Sequence, residues 1–370
     1  VLEVEPGVLH KVELQRDKYD TYRSDINVSL GDKSSLSAAL TPHPGSIHVE
    51  TSLSGAIVWV DGAVMKKTPC TFDGLAPGSH EVEIGPYLLA KRFYVCERTS
   101  AVDVASDEVT TVSKTLVPGK TSLRIVDAPP GSTVSLDGTA LDPSIVFSTG
   151  VEIPAGEFDL VVMSPAQQKW QKSITVSNGI HAPWSMDTLT ASLPRKTIKV
   201  DGKSDDWAGL WPLWIVPFGT DFYPNQPGTR ITKVFLCRDD RFLYGRMDFS
   251  DGTPTMKLSK DIAGRLVYQV QVHLPNLDLL IMEIDSDRRG GTWRWNGIWS
   301  PTTKRGTTLE QDFSYRAADS MLEFSVPLAA MKKYFEGGPL ITDANVTNAD
   351  TQGQWQSNFS AGSRTIDFKN

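Results

Sequence analysis

"IVWVDGAVMKKTPCTFDGLAPGSHEVEI", residues 57–84, decides the fold class. Its first four residues are β-branched or aromatic, and they stop at Asp61-Gly62, a pair that tolerates the positive φ of a tight hairpin. "LAPG" (75–78) then places Pro77 where φ is preset and Gly78 where it must be free. "HEVEI" (80–84) alternates polar and apolar residues, which marks a half-buried strand. The same signals recur in "GSTVSLDG" (131–138) with "PAGEFDLVV" (154–162), and in half form in "EPGVLHKVEL" (5–14). The recurrence is roughly 70 to 78 residues, and no helix-period stretch of useful length interrupts it. Short strands at this spacing build a small β-sandwich.

The stretch "VWVDG" with "TPCTFDGLAPGSHEVEI" resembles the PEGA domain family, and "VSLDG" with "VEIPAGEFDLVV" resembles it more distantly, without the Thr-Pro step. The resemblance covers roughly residues 1–194. It implies immunoglobulin-like sandwiches in bacterial or archaeal envelope proteins, used as spacers or adhesion units, with no catalytic residues. The expected boundaries are a partial copy at 1–42, a copy at 43–117 and a divergent copy at 118–194. The linkers "TPHPG" (41–45) and "VPGK" (117–120) are short and contain Pro, which holds modules in a semi-rigid row.

From about residue 195 the pattern changes, and residues 195–370 carry seven of the ten tryptophans. Strands are expected in "TKVFLCRD", "FLYGRMDFSD", "LVYQVQVHL", "LLIMEIDSD", "TWRWNG", "GIWSP", "SYRAAD" and "MLEFSVPL", and a turn or two of helix in "LAAMKKYF". "VYQVQVHL" alternates strictly, so one of its faces is wet or meets a ligand. The expected class is all-β throughout: tandem immunoglobulin-like sandwiches followed by a larger, jelly-roll-like one. "IKVDGKSDDWAG" (198–209), "KVFLCRDDRFLYGRMDFSDG" (233–252) and "LEFSVPLAAM" (322–331) resemble family-nine carbohydrate-binding modules and their DOMON-like relatives. That resemblance implies a sugar gripped between aromatic side chains, and often structural calcium.

"TWRWNGIWS" (292–300) contains Asn296-Gly297, a two-residue hairpin signal. Such a hairpin pairs Trp295 with Ile298 and Arg294 with Trp299. It buries Trp293, Trp295 and Ile298, and it sets Arg294 over Trp299 as a candidate sugar contact. The Pro-rich stretch 209–229 reads as a loop, with Trp214 and Tyr223 as further candidate contacts and Trp207 and Trp211 as plugs of the sandwich. An aromatic face suits a pyranose because the apolar C–H side of the ring stacks on it.

Other chemistry is thin. Glu283, Asp285 and Asp287 alternate and form a candidate calcium set, although the loop pattern is incomplete; the plain alternative is a polar strand end. Met247, Met282 and His273 are the residue types that hold haem in some DOMON relatives. The chain has three cysteines, and Cys70 and Cys96 either pair as a disulfide or sit as small buried residues, while Cys237 reads as core. No nucleophile triad, P-loop or dinucleotide fingerprint stands out, so no enzymatic activity is expected. The net charge of −7, without a basic cluster, argues against nucleic acid. No apolar run is long enough to span a membrane, and the natural start is expected upstream of residue 1, where a signal peptide or lipid anchor could stand.

The functional expectation is a non-catalytic, extracytoplasmic protein of the periplasm or cell surface, whose stalk presents a glycan-binding domain to a polysaccharide or cell-wall glycan. Two rivals stand beside it. One is a scaffold whose partners are other envelope proteins, and the other is an accessory segment of a larger glycan-active enzyme.

Overall fold

The computed structural model describes residues 2–96, 101–179, 182–216, 228–254, 265–286, 292–310, 313–329, 331–349 and 355–368. The fold is all-β, and its helical elements among these residues are single turns, such as Pro143–Val146 and Lys332–Tyr334. The latter is the turn expected in "LAAMKKYF". No helix is long and apolar enough to cross a membrane among the described residues. The chain forms two compact units: residues 1–121, 152–157 and 175–180, and residues 122–151, 158–174 and 181–370.

In the first unit, an antiparallel hairpin of Leu9–Leu14 and Tyr22–Asn27 precedes a two-sheet sandwich. One sheet runs Ala101–Val104, Gly78–Ile84, Ile57–Val60, Val64–Lys67, and the other runs Val109–Lys114, Gly45–Thr51, Cys70–Leu75. Alternate residues of these strands build the core: Ile47, Val49, Val58, Val60, Phe72, Val82, Val104 and Val112. Asp61 and Gly62 take φ of 53° and 68°, as the hairpin signal requires. The Asp61 carboxylate accepts from the Glu81 amide at 2.9 Å and from His80 Nδ1 at 2.7 Å. This ties the turn to the next strand. Asp137, at φ 47°, repeats the arrangement in the second unit by accepting from the Asp159 amide at 2.8 Å.

Cys70 and Cys96 are free thiols, which corrects the disulfide expectation. Cys70 opens a strand of the three-stranded sheet, whereas Cys96 follows the Arg92–Val95 strand, which belongs to a different sheet. Cys237 is fully buried, as expected of a core residue.

The second unit contains the large sandwich. Its smaller sheet runs Trp214–Ile215, Ile231–Arg238, Phe242–Phe249, Met321–Pro327, Ser314–Ala318. Facing it are six strands in the order Trp355–Asp367, Leu340–Ala349, Arg265–His273, Leu279–Ser286, Thr292–Ser300, Arg305–Glu310. Met247, Leu322 and Phe324 of the smaller sheet meet Tyr268, Met282 and Ile284 of the larger, and Phe249 meets Tyr268 edge to face at 5.7 Å. The outer side of the smaller sheet is covered by residues near 198–207, so Ile198 and Trp207 pack with Phe235, Cys237 and Tyr244. In the same unit, Thr190–Ser192 pairs in parallel with the last strand, Ala191 opposite Ile366.

"TWRWNGIWS" is one continuous strand and not a hairpin. Leu279–Ser286 pairs along its whole length on one side, from Leu279 opposite Trp299 to Ser286 opposite Thr292. Arg305–Glu310 pairs on the other, with an irregularity beside Asn296/Gly297. Two strand partners outweigh one local turn signal. Arg294 therefore stands five positions along the same strand from Trp299 and not across a turn from it.

Candidate functional site

The strand Arg265–His273 positions the candidate site. Its alternation sends Leu266, Tyr268, Val270 and Val272 into the sandwich, each 2% exposed or less. Gln269, Gln271 and His273 take the opposite face. Directly paired residues share a face, so the register extends this into rows. His273 is opposite Leu279, which is opposite Trp299. Gln271 lies between Ile281 and Asp343, and Gln269 lies between Glu283 and Asn345.

The polar side chains of this face interlock. His273 Nε2 meets Asp343 Oδ2 at 2.6 Å, Gln271 donates its amide to Gln269 Oε1, and Gln269 donates to Glu283 Oε2 at 3.2 Å. Exposure is graded along the rows. Gln269 and Asn345 are buried, Gln271 and Asp343 half-buried, and Trp299 and His273 exposed. Oδ1 of Asn345 and Oδ1 of Asp343 are both buried and accept no hydrogen bond from the described residues. Acceptors in that state cost about 1–3 kcal/mol each unless something donates to them. The face thus combines an exposed indole at one end with amides, a His–Asp pair and two open acceptors behind it.

Of the residues singled out in the sequence, Trp299 lies on this face. Trp214 does not, and its expected contact role is corrected. It is fully buried, and its indole N–H donates to the Gly362 carbonyl at 2.6 Å. Trp207 is buried as expected, and Trp211 is half-buried. Tyr223 lies outside the described residues, as does Asp287. Glu283 belongs to the polar face, and Asp285 follows it two positions along the same strand. No group of three or more His, Cys, Asp and Glu residues able to hold a metal occurs among the described residues. Met247 and Met282 sit together inside the sandwich, but His273 is on the far side of the sheet, so the three cannot hold one haem. Sequence reasoning missed Asp343 and Asn345, because "LITDANVTNA" carries no strong β signal; only its pairing with Arg265–His273 exposes their role.

Residues 45–120 match the PEGA domain family. No curated protein matches the chain. Among solved structures, the Bacillus anthracis TIE protein is similar at 10% identity and a TM-score of 0.24, over 86% of this chain and 55% of that one. The chain thus spans about half the length of that protein. The matching segment 45–120 is the one whose two facing sheets and valine-rich core are described above.

Proposed function

We propose that this is a non-catalytic extracytoplasmic protein in which PEGA-like modules, the divergent 118–194 segment among them, carry a C-terminal saccharide-binding sandwich. The observation that carries the reading is the sheet face where exposed Trp299 stands across Leu279 from His273, with Gln271 and Asp343 in the neighbouring row. An indole offers the stacking surface for a sugar ring, and paired amides and carboxylates offer donors and acceptors for its hydroxyls. The resemblance of 198–209, 233–252 and 322–331 to carbohydrate-binding modules points the same way, and the recurring Asp–Gly turn at Asp61 and Asp137 supports the repeat reading.

The test is binding of the full chain to a panel of soluble and insoluble polysaccharides, including cell-wall preparations, beside Trp299→Ala and Asp343→Ala. Binding that both substitutions weaken supports the proposal. A second reading, a scaffold that binds protein, draws on Ile341, which is 50% exposed and shares the face with Asp343. Absence of binding across the panel with both variants stably folded favours that second reading.

A further inference from the structure

We infer that the second unit holds a separate pocket for a single neutral sugar ring, away from the Trp299 face. The pocket is a cavity of about 200 Å³ whose lining includes Trp170, Trp211, Asp127, Asp187 and Arg364. Its class of ligand rests on the saccharide reading above, but its residues and location are independent of it.

Three elements converge to form it. Trp170 comes from the Lys169–Val176 strand and is buried, so it lies deep. Asp187 is in the turn Met186–Thr188, which the short strand Thr190–Ser192 follows. Arg364 comes from the last strand, which Thr190–Ser192 pairs with in parallel. Trp211 is held from behind, because its backbone N–H donates to Oε1 of the buried Gln168 at 3.1 Å. The Trp211 side also lines a neighbouring open hollow with Pro129, Pro130 and Pro165.

The polar groups define the chemistry. Arg364 is fixed in place, with Nε donating to the Leu213 carbonyl at 3.1 Å and Nη1 to the Ser363 carbonyl at 2.9 Å. Its Nη2 stands 3.6 Å from Asp187 Oδ2. That gap exceeds a hydrogen bond, yet one hydroxyl group placed beside both atoms accepts from the guanidinium and donates to the carboxylate. Asp127, exposed on the lining, adds a second acceptor, and it is held at φ 63° with Ser185 Oγ near its carboxylate at 3.4 Å. An anion meets two carboxylates here, and a cation meets Arg364. A neutral ligand that both donates and accepts, and has an apolar face for an indole, satisfies all of them. The volume sets the size, since cavities for drug-sized ligands run about 300–1,000 Å³. This one therefore suits one ring and not an oligosaccharide.

The experiment is titration of the full chain with neutral monosaccharides and their methyl glycosides, followed by tryptophan fluorescence and ligand-observed NMR. Glucuronate and glucosamine serve as charged controls, and Asp187→Asn, Trp211→Ala and Trp299→Ala as variants. Asp187 is exposed, so its substitution leaves folding intact. The expected result is millimolar binding of a neutral sugar, weakened at least about tenfold by Asp187→Asn, lost in Trp211→Ala and unchanged in Trp299→Ala. Binding that ignores Asp187 and Trp211, preference for a charged control, or no monosaccharide binding overturns the inference. If polysaccharide binding through Trp299 persists without monosaccharide binding, this pocket fails alone. If monosaccharide binds here and no polysaccharide binds at Trp299, the sheet-face reading fails alone.

Discussion

Trp207 donates its indole N–H to Glu323 at 2.6 Å, across 116 residues of chain. The other oxygen of Glu323 accepts from the Gly202 amide at 2.8 Å, and the carboxyl is fully buried. These bonds fasten the segment around "VDGKSDDW" onto the smaller sheet. Trp207→Phe keeps most of the packing and removes one donor from a buried carboxyl. The expected loss is about 1–3 kcal/mol in urea unfolding of the full chain. An unchanged midpoint shows that the bond is not part of the stability.

The same carboxyl gives a pH signature. Burial raises the Glu323 pKa above its ordinary 4.5, against the lowering effect of the Gly202 and Trp207 bonds. A carboxyl with a raised folded pKa keeps its proton longer in the folded than in the unfolded state. Its contribution is therefore full below about 4.5 and falls as pH rises through the folded value. Glu323→Gln removes this titration, so wild type loses stability relative to the variant as pH rises above about 4.5. Parallel stability curves for the two proteins contradict the assignment.

The turn at Asp61 offers a second test. His80 is raised above 6.5 by its bonds to the Ala76 carbonyl and to Asp61, and Asp61 is lowered below 3.8 by His80 and the Glu81 amide. The His80 contribution is full below 6.5 and lost as pH rises through its folded value, whereas the Asp61 contribution is full above 3.8 and lost as pH falls. The pair is strongest between those limits. Asp61→Ala is expected to cost about 1–2 kcal/mol, from a lost bond to the Glu81 amide and a side chain less tolerant of positive φ. Asp61→Asn, which keeps an acceptor and tolerates that backbone, recovers most of the loss, read by thermal unfolding.

The two tryptophans singled out in the sequence should separate cleanly. Trp214→Ala opens a fully buried site and should cost about 3–5 kcal/mol. Trp299→Ala changes a residue 36% exposed and should stay within about 0.5 kcal/mol while weakening polysaccharide binding. Equal destabilisation by both would make Trp299 a packing residue.

Thiol chemistry tests the cysteine correction. Unfolded without reductant, the chain should titrate three thiols, and one thiol would indicate a Cys70–Cys96 bridge. In the folded protein all three should react slowly, because burial raises each thiol pKa, Cys237 most.

Much of the architecture was legible because it is written in local alternation. The alternation of Gln269, Gln271 and His273 placed them on the face away from the core, but only His273 is exposed there, and Gln269 is buried. The same reading failed at Asn296-Gly297, where a turn signal sits inside a longer alternation. No local rule reveals that strands on both sides claim those residues. It failed again at Trp214, whose hydrogen-bond partner lies 148 residues away. Asp343, Asn345 and Arg364 were missed for the same reason: each acquires its surroundings from a strand or turn remote in sequence.

The pairing of Ala191 with Ile366 also dictates an order of events. A chain made from its N-terminus presents Ala191 long before Ile366 exists, so the parallel bridge closes late. Contacts this distant in sequence slow folding, since a long loop must be ordered before they reward it. Arg364, two residues before Ile366, reaches its place only in that last step. The lining that Arg364 shares with Trp211 is therefore completed only once that bridge has closed.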